Sequence, residues 1–228
     1  MCTSIVVNKK KTLVGFNLDI LDMEYRISES NDAVTIDIND PVEGWMPLFG
    51  VTNEGNFVGM PTCWPTDEAS NPSDEEDINI INLDIDVLTK KKSFLEIKEI
   101  VESKRICSIP HMTFMSSVSN KNGDVLHIIP GQGYKYYEKP EYIVLTNFSP
   151  FKIDKELHPW MGLDRYNLAN ELLNKTDDNF DVSDLFEVLN KVSQIICPTV
   201  VSMVYDANDN KVYWCLDRKY NDMKQRVF

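Results

Sequence analysis

The sequence has few of the residues that build metal centres and disulfide frameworks. Its 228 residues include three histidines and five cysteines, and no two cysteines form a CxxC pair. Scattered cysteines that are odd in number favour neither a disulfide framework nor a zinc site. We therefore expect no metal, no cofactor and a reducing, cytoplasmic location.

Long apolar runs and an excess of positive charge are also lacking. The chain has no stretch of about 18 apolar residues and no basic N-terminal region before an apolar one, so we expect neither a transmembrane helix nor a signal peptide. A formal net charge of −13 argues against nucleic acid and anionic membranes as partners. An acidic loop at about residues 65–80 is interpreted as solvated, because it lacks the spacing of a calcium loop.

The sequence does contain enough apolar and aromatic residues for a sizeable core. Apolar residues make up 43% of the chain, and its length suits a single domain spanning residues 1–228. Hairpins and helices occur in blocks rather than in strict alternation, which predicts an α+β fold with mainly antiparallel sheets. The predicted elements are hairpins at 2–19, 113–129 and 199–216, strands at 33–38, 47–51, 56–62 and 141–146, and helices at 93–103, 163–174 and 182–191.

Cysteine at position 2 has a chemical consequence. A small second residue normally lets methionine aminopeptidase remove Met1, which would leave a free α-amine and a thiol on Cys2. An α-amine titrates near about 7.7–8.0 and a thiol near about 8.5, so the amine can act as the general base for its own thiol. The alternative is that Cys2 is a small apolar residue that begins a strand.

Asp19 is the first candidate partner for that amine. With an even loop in the first hairpin, residue 2 lies opposite residue 17, and Asp19 lies on the Cys2 face one diagonal step away. A carboxylate there would hydrogen-bond the amine and fix its orientation. An odd loop would place Asp19 on the other face, where it would be an ordinary aspartate at a strand end.

Four short segments resemble the choloylglycine hydrolase family, which includes bile salt hydrolases, penicillin V acylases and, more distantly, acid ceramidase-like amidases. They are Cys-Thr-Ser-Ile-Val at residues 2–6, Gly-Phe-Asn-Leu-Asp at 15–19, Val-Leu-Thr-Asn-Phe-Ser-Pro at 144–150 and Asp-Arg-Tyr at 164–166. The resemblance implies the four-layer αββα fold of N-terminal-nucleophile hydrolases. It also implies Cys2, Asp19, Asn147 and Arg165 as catalytic residues, with Asn147 donating to the oxyanion.

The resemblance also suggests residues for substrate binding. The second oxyanion residue of the family would fall near Cys63 or Trp64. Phe16 and Asn17 are also predicted to contact substrate, although the family has an arginine where this chain has Phe16. A phenyl ring there offers apolar contact in place of charge, which predicts a preference for apolar or aromatic acyl groups. The alternative is that Phe16 packs into the core.

Together these features predict a hydrolase of linear amide C–N bonds in small-molecule substrates, with Cys2 as the nucleophile. An acyltransferase on the same scaffold and a binding relative without activity remain open, as does a homo-oligomer. A thiol peptidase with a Cys–His pair has no local signature. His127 alternates with apolar Leu126 and Ile128, which favours a strand-face residue over a catalytic base.

Overall fold

The protein is built around two large antiparallel sheets. The computed structural model describes residues 1–151 and 158–228. The first sheet has six strands. In spatial order they are β14 (Tyr142–Leu145), β1 (Cys2–Asn8), β2 (Thr12–Asp19), β15 (Thr199–Asp206), β16 (Lys211–Leu216) and β17 (Lys224–Val227).

The second sheet has seven strands, also antiparallel throughout. In spatial order they are β13 (Gly133–Tyr137), β12 (Val125–Ile129), β11 (Ser116–Ser119), β6 (Phe57–Gly59), β5 (Gly44–Thr52), β4 (Ala33–Asp40) and β3 (Tyr25–Glu29). Two short pairs complete the strands. They are β7 (Thr62–Cys63) with β10 (Thr113–Phe114), and β8 (Ile78–Asn79) with β9 (Ile106–Cys107), the last pair being parallel.

Within the described residues, four α-helices cover the outer faces of the two sheets. They are α1 (Ile80–Leu88), α2 (Phe94–Ser103), α3 (Leu163–Leu173) and α4 (Val182–Lys191). The main core lies between the sheets and includes Phe16 and Phe57. A second core under α3 and α4 includes Leu189, and a third under α1 and α2 includes Leu83. The layers therefore run helix, sheet, sheet, helix, and the expected α+β sandwich is confirmed.

Local sequence signals explain where several elements begin. Ser93 and Glu96 form the two reciprocal bonds of a capping box, and α2 begins at the next residue as predicted. Asp181 caps α4, whose bounds match the prediction. The predicted hairpin at 113–129 is divided in the structure, because Thr113 and Phe114 pair with β7 instead of β12.

Helix α1 is not predicted by the sequence pattern, because its alternating apolar and acidic residues directly follow the acidic loop at about 65–80. A short 3-10 helix, Glu68–Ser70, lies within that loop. Within the described residues, no helix is long and apolar enough to cross a membrane. The same part of the chain contains no group of three or more His, Cys, Asp and Glu side chains placed to hold a metal ion.

Candidate active site

Cys2 begins β1, and side chains from distant segments hold its main chain. Its backbone nitrogen donates a hydrogen bond of 2.9 Å to Oδ1 of Asn147. Its carbonyl oxygen accepts one of 2.7 Å from Nη1 of Arg165. The Cys2 side chain is 3% exposed and faces the core between the sheets. The structure thus brings three of the predicted catalytic residues into direct contact.

Asn147 follows β14 and connects Cys2 to the strand β7. Its Oδ1 accepts from Cys2 and also from Nη2 of Arg165 at 2.7 Å, while its Nδ2 donates to the carbonyl of Thr62 at 2.6 Å. The Asn147 carbonyl in turn accepts from the backbone nitrogen of Trp64 at 2.6 Å. Because a side-chain amide nitrogen carries two hydrogens, the bond to Thr62 does not exhaust the capacity of Nδ2 to donate.

Arg165 lies in the first turn of α3 and is 4% exposed. Besides Cys2 and Asn147, it donates to Oγ1 of Thr3 at 2.8 Å. Gly162, immediately before α3, has a φ of +95°, and a Cβ there would lie 2.8 Å from Nη2 of Arg165. Glycine is therefore required both for the backbone conformation and for the space that the guanidinium occupies.

Asp19 ends β2 and provides the buried negative charge that faces Arg165. Its Oδ2 lies 3.7 Å from Nη1 of Arg165. Its carboxylate accepts from Oγ1 of Thr199 at 2.6 Å and from Nε2 of Gln194 at 2.5 Å. Burial raises the pKa of Asp19 to about 6, although Arg165, Thr199 and Gln194 each oppose the rise.

Met1 continues β1 by one residue and pairs with the main chain of Asp19. The Met1 ammonium donates to the Asp19 carbonyl at 2.5 Å, and the Asp19 nitrogen donates to the Met1 carbonyl at 2.9 Å. With Met1 in place the nitrogen of Cys2 is an amide, which cannot act as a base. Burial raises the pKa of the Cys2 thiol to about 11, although the N-terminal ammonium and Arg165 lower it. In this form the thiol is protonated at neutral pH.

The register of the first hairpin differs by one residue from the prediction. Cys2 pairs with Leu18 and Asn8 with Thr12, so the loop contains three residues instead of an even number. Because directly paired residues share a face, the side chain of Asp19 lies on the opposite face from that of Cys2. The predicted diagonal contact is therefore wrong. Asp19 instead reaches the Cys2 main chain through Arg165.

The predicted substrate-binding residues occupy two kinds of position. Phe16 is 0% exposed and stacks on Phe49, with ring centroids 5.0 Å apart. Asn17 is equally buried on the other face, where its Nδ2 donates to the carbonyl of Leu189 at 2.8 Å. The Phe16 ring fills the core, so its position gives no support to the predicted preference for apolar acyl groups. Contact of Phe16 or Asn17 with substrate stays a prediction.

Cys63 and Trp64 lie next to Asn147, as the bonds of Asn147 to the segment 62–64 require. Cys63 is 1% exposed and packs in a small cluster with Leu145. Trp64 is partly exposed, and its ring centroid lies 6.1 Å from that of Trp160. The structure therefore places this segment at the site. The backbone nitrogen of Trp64, however, already donates to Asn147.

Sequence reasoning missed Thr199 and Gln194, which hold the carboxylate of Asp19. They lie at the start of β15 and in the loop before it. The two residues also hold each other, because the Thr199 nitrogen donates to the Gln194 carbonyl at 3.1 Å and the Gln194 nitrogen to Oγ1 of Thr199 at 2.8 Å. Neither residue type signals catalysis, and only the pairing of β15 with β2 brings them to Asp19.

Comparisons with known proteins bear on the fold. No protein-family model matches the sequence, and no curated protein matches it either. Among solved structures, a C2A mutant of the conjugated bile acid hydrolase from Clostridium perfringens is similar, with a TM-score of 0.71 at 15% identity. The alignment covers 100% of this chain and 92% of that one.

Two further solved structures show the same likeness. For penicillin V acylase from Agrobacterium tumefaciens the TM-score is 0.62 at 13% identity, over 95% of this chain and 83% of that one. For an N-acylethanolamine-hydrolyzing acid amidase ortholog from Caenorhabditis elegans the TM-score is 0.52 at 19% identity, over 100% of both chains. The chain therefore has the same fold as these three solved structures.

Proposed function

We propose that the protein hydrolyses linear amide bonds of small molecules, with Cys2 as the nucleophile once Met1 has been removed. The observation that supports this most directly is the convergence of Asn147 and Arg165 on the main chain of Cys2, with Asp19 facing Arg165. A buried cation and carboxylate are costly to desolvate. Asn147 holds the nitrogen and Arg165 the carbonyl oxygen of the same cysteine, an arrangement that suits an N-terminal nucleophile.

The likeness to solved structures supports the same proposal. The similar proteins are described as a conjugated bile acid hydrolase, a penicillin V acylase and an N-acylethanolamine-hydrolyzing acid amidase. We carry over from them only the reaction class, hydrolysis of an amide that is not a peptide bond.

Removal of Met1 would change both reacting groups of Cys2. The nitrogen becomes an amine. With Met1 present it lies 2.9 Å from Oδ1 of Asn147, and the amine would stay within reach of that oxygen. The positive charge of Arg165, bonded to the Cys2 carbonyl, disfavours protonation of that amine and so helps it to act as a base near neutral pH. The thiol would then lie on the same residue as a free amine that can accept its proton.

The reaction then follows from these positions. The Cys2 amine takes the thiol proton as Sγ attacks the amide carbonyl carbon, which forms a tetrahedral oxyanion. Nδ2 of Asn147 donates to that oxyanion. As the C–N bond breaks, the ammonium returns its proton to the leaving amine and a thioester remains. Water, deprotonated by the same amine, cleaves the thioester to release the acid and restore the thiol.

Two alternative functions use the same residues as the hydrolase, and experiments can distinguish them from it. In an acyltransferase, a second amine replaces the water that attacks the thioester. In a binding relative, the thiol is present but no turnover occurs. The single domain of residues 1–228, the small-molecule substrate and the absence of nucleic acid and membrane partners stay expectations, and so does a homo-oligomer.

The decisive experiment combines mass measurement with turnover. Intact mass of the purified protein should show that Met1 is absent. One equivalent of iodoacetamide should then label Cys2. Hydrolysis should fall in proportion to that labelling, whether the substrate is a phenoxyacetyl amide, a glycine-conjugated bile acid or an N-acylethanolamine. An active protein that retains Met1 would exclude the amine as base. Labelling without any turnover would favour the binding relative, and transfer to an added amine would favour the acyltransferase.

A further inference from the structure

A cavity of about 100 Å³ lies at one edge of the sandwich, apart from the contacts that hold Cys2. It is bounded by β13 and β14, the edge strands of the two sheets, and by the start of α3. Its wall is largely aromatic and aliphatic and includes Tyr137, Ile143, Phe148 and Tyr166. The cavity could therefore take an apolar group of modest size.

His127 is a buried polar side chain in the largely apolar wall of this cavity. It lies in the middle of β12 and is 1% exposed, with its ring 5.3 Å from that of Tyr137. Its Nδ1 has no hydrogen-bond partner within residues 1–151 and 158–228. Buried polar atoms in folded proteins are nearly always paired, so an orphaned nitrogen beside a cavity points to a ligand.

The charges around the cavity indicate an uncharged ligand. Burial, with a smaller effect of Lys135, lowers the pKa of His127 to about 3, so its ring is neutral at physiological pH. Lys135 is the one charged residue among the described lining residues. Its Nζ donates to the carbonyl of Pro150 at 2.8 Å and lies 4.8 Å from the ring centre of Phe151. The ammonium group of Lys135 is thus already bonded to a carbonyl of the cavity wall and packed against an aromatic ring beside it.

We propose that this cavity binds a small uncharged aromatic molecule that carries a hydroxyl group, of the phenol class. A dry cavity of about 150 Å³ holds benzene. This one, at about 100 Å³, is smaller but partly open to solvent, so a single ring can enter it with part of its edge exposed. The aromatic rings of Tyr137, Phe148 and Tyr166 in its wall can pack against such a ring. A hydroxyl both donates and accepts, and therefore satisfies Nδ1 of His127 in either tautomer.

Binding of phenol and of toluene tests the proposal, because the two rings differ by the hydroxyl alone in hydrogen-bonding capacity. Both are titrated into the wild-type protein, and binding is followed by ligand-detected NMR and by the shift of the His127 imidazole signals. We expect saturable binding of phenol, tighter than that of toluene. The variant His127→Phe should weaken phenol about three- to tenfold and leave toluene unchanged, since it removes one neutral hydrogen bond.

Two variants of Ile143 provide the matched control for the location. Ile143→Trp should fill the cavity and remove binding of both molecules, whereas Ile143→Leu should keep both, and circular dichroism checks that each variant is folded. The proposal is overturned if phenol does not bind saturably or does not shift the His127 signals. An unchanged phenol-to-toluene ratio in His127→Phe also overturns it. Binding is measured in Cys2→Ala as well, so the result is independent of amide hydrolysis.

Discussion

The two faces of the β1–β2 hairpin are equally buried near Cys2 but differ in chemistry. The inner face, towards the second sheet, carries Cys2, Phe16 and Leu18 and belongs to the main core. Packing there is close: a Cβ on Gly59 would lie 2.8 Å from the ring of Phe16. This face contributes apolar burial, and the thiol is its only reactive group among these three residues.

The outer face, towards α3 and α4, carries Thr3, Asn17 and Asp19, all 0% exposed. Each of these side chains bonds to a group that is distant in sequence: Thr3 to Arg165, Asn17 to the Leu189 carbonyl, and Asp19 to residues that include Thr199. The two faces therefore have different roles. The inner face presents the nucleophile and holds the sheets together, while the outer face fixes the main chain from which the nucleophile projects.

The largest expected effect is on the inner face, at the nucleophile. Cys2→Ala should abolish amide hydrolysis, because the substitution removes the thiol that forms the thioester. It should leave the melting temperature nearly unchanged, since the substitution removes one sulfur atom at a strand end. Turnover and thermal unfolding are measured together, with Cys107→Ala as the matched control for a buried cysteine. Retained turnover in Cys2→Ala, or its loss in Cys107→Ala, would contradict the assignment.

The next effect separates packing from catalysis on the same face. Phe16→Ala should lower the free energy of unfolding by about 3–5 kcal/mol, because it leaves a cavity between Phe49 and Phe57. Chemical denaturation measures the loss, and kcat/KM is compared on the folded protein. Phe16→Leu should cost less. If Phe16→Ala kept its stability but changed the relative kcat/KM for aryl and bile acid amides, Phe16 would line the substrate pocket after all.

A substitution at Asp19 on the outer face should act mainly on kcat, whereas Phe16→Ala acts mainly on the free energy of unfolding. Asp19→Asn should lower kcat by about 10²–10³, the scale of losing one preorganised group, because Arg165 loses its counter-charge and the Cys2 main chain its support. Initial rates of hydrolysis of the same amide at saturating concentration measure kcat. Thr199→Ser keeps a hydroxyl beside Asp19 and serves as the control, with kcat expected within a few-fold of wild type. Equal losses in the two variants would show that the effect is structural.

Much of the fold follows from short-range signals in the sequence. The capping residues Ser93 and Asp181 define two helices, and β-branched runs define β1, β2 and β15. The four-layer order followed from the resemblance and not from these signals. Helix α1 is not predicted, because its residue Asp84 continues a run of acidic residues that is typical of a solvated loop. In the structure Asp84 is fully buried.

The candidate site was predictable as a set of residues but not as a geometry. Cys2 and Asn147 were singled out, and they do make contact. The face on which Asp19 lies depends on whether the loop at 9–11 has an odd or even length, and sequence alone leaves that open. Gln194 reaches Asp19 only because β15 lies beside β2, a long-range pairing without any local signal.

The smallest effect is a pH dependence of stability that belongs to the outer face. The pKa of Asp19 is raised from 3.8 to about 6, with burial as the main cause. Because the folded state holds this proton more tightly, the associated stability is fully present below about pH 4 and is lost as the pH rises through about 6. The loss amounts to roughly 3 kcal/mol at most.

Asp19→Asn lacks the titrating group, so its free energy of unfolding relative to wild type should rise between pH 4 and 7. Urea denaturation at several pH values measures both proteins. Phe16→Leu, on the inner face, should differ from wild type by a constant amount over that range. A flat difference for Asp19→Asn would mean that Arg165 and the hydrogen bonds hold Asp19 ionised throughout, and that its burial is fully offset.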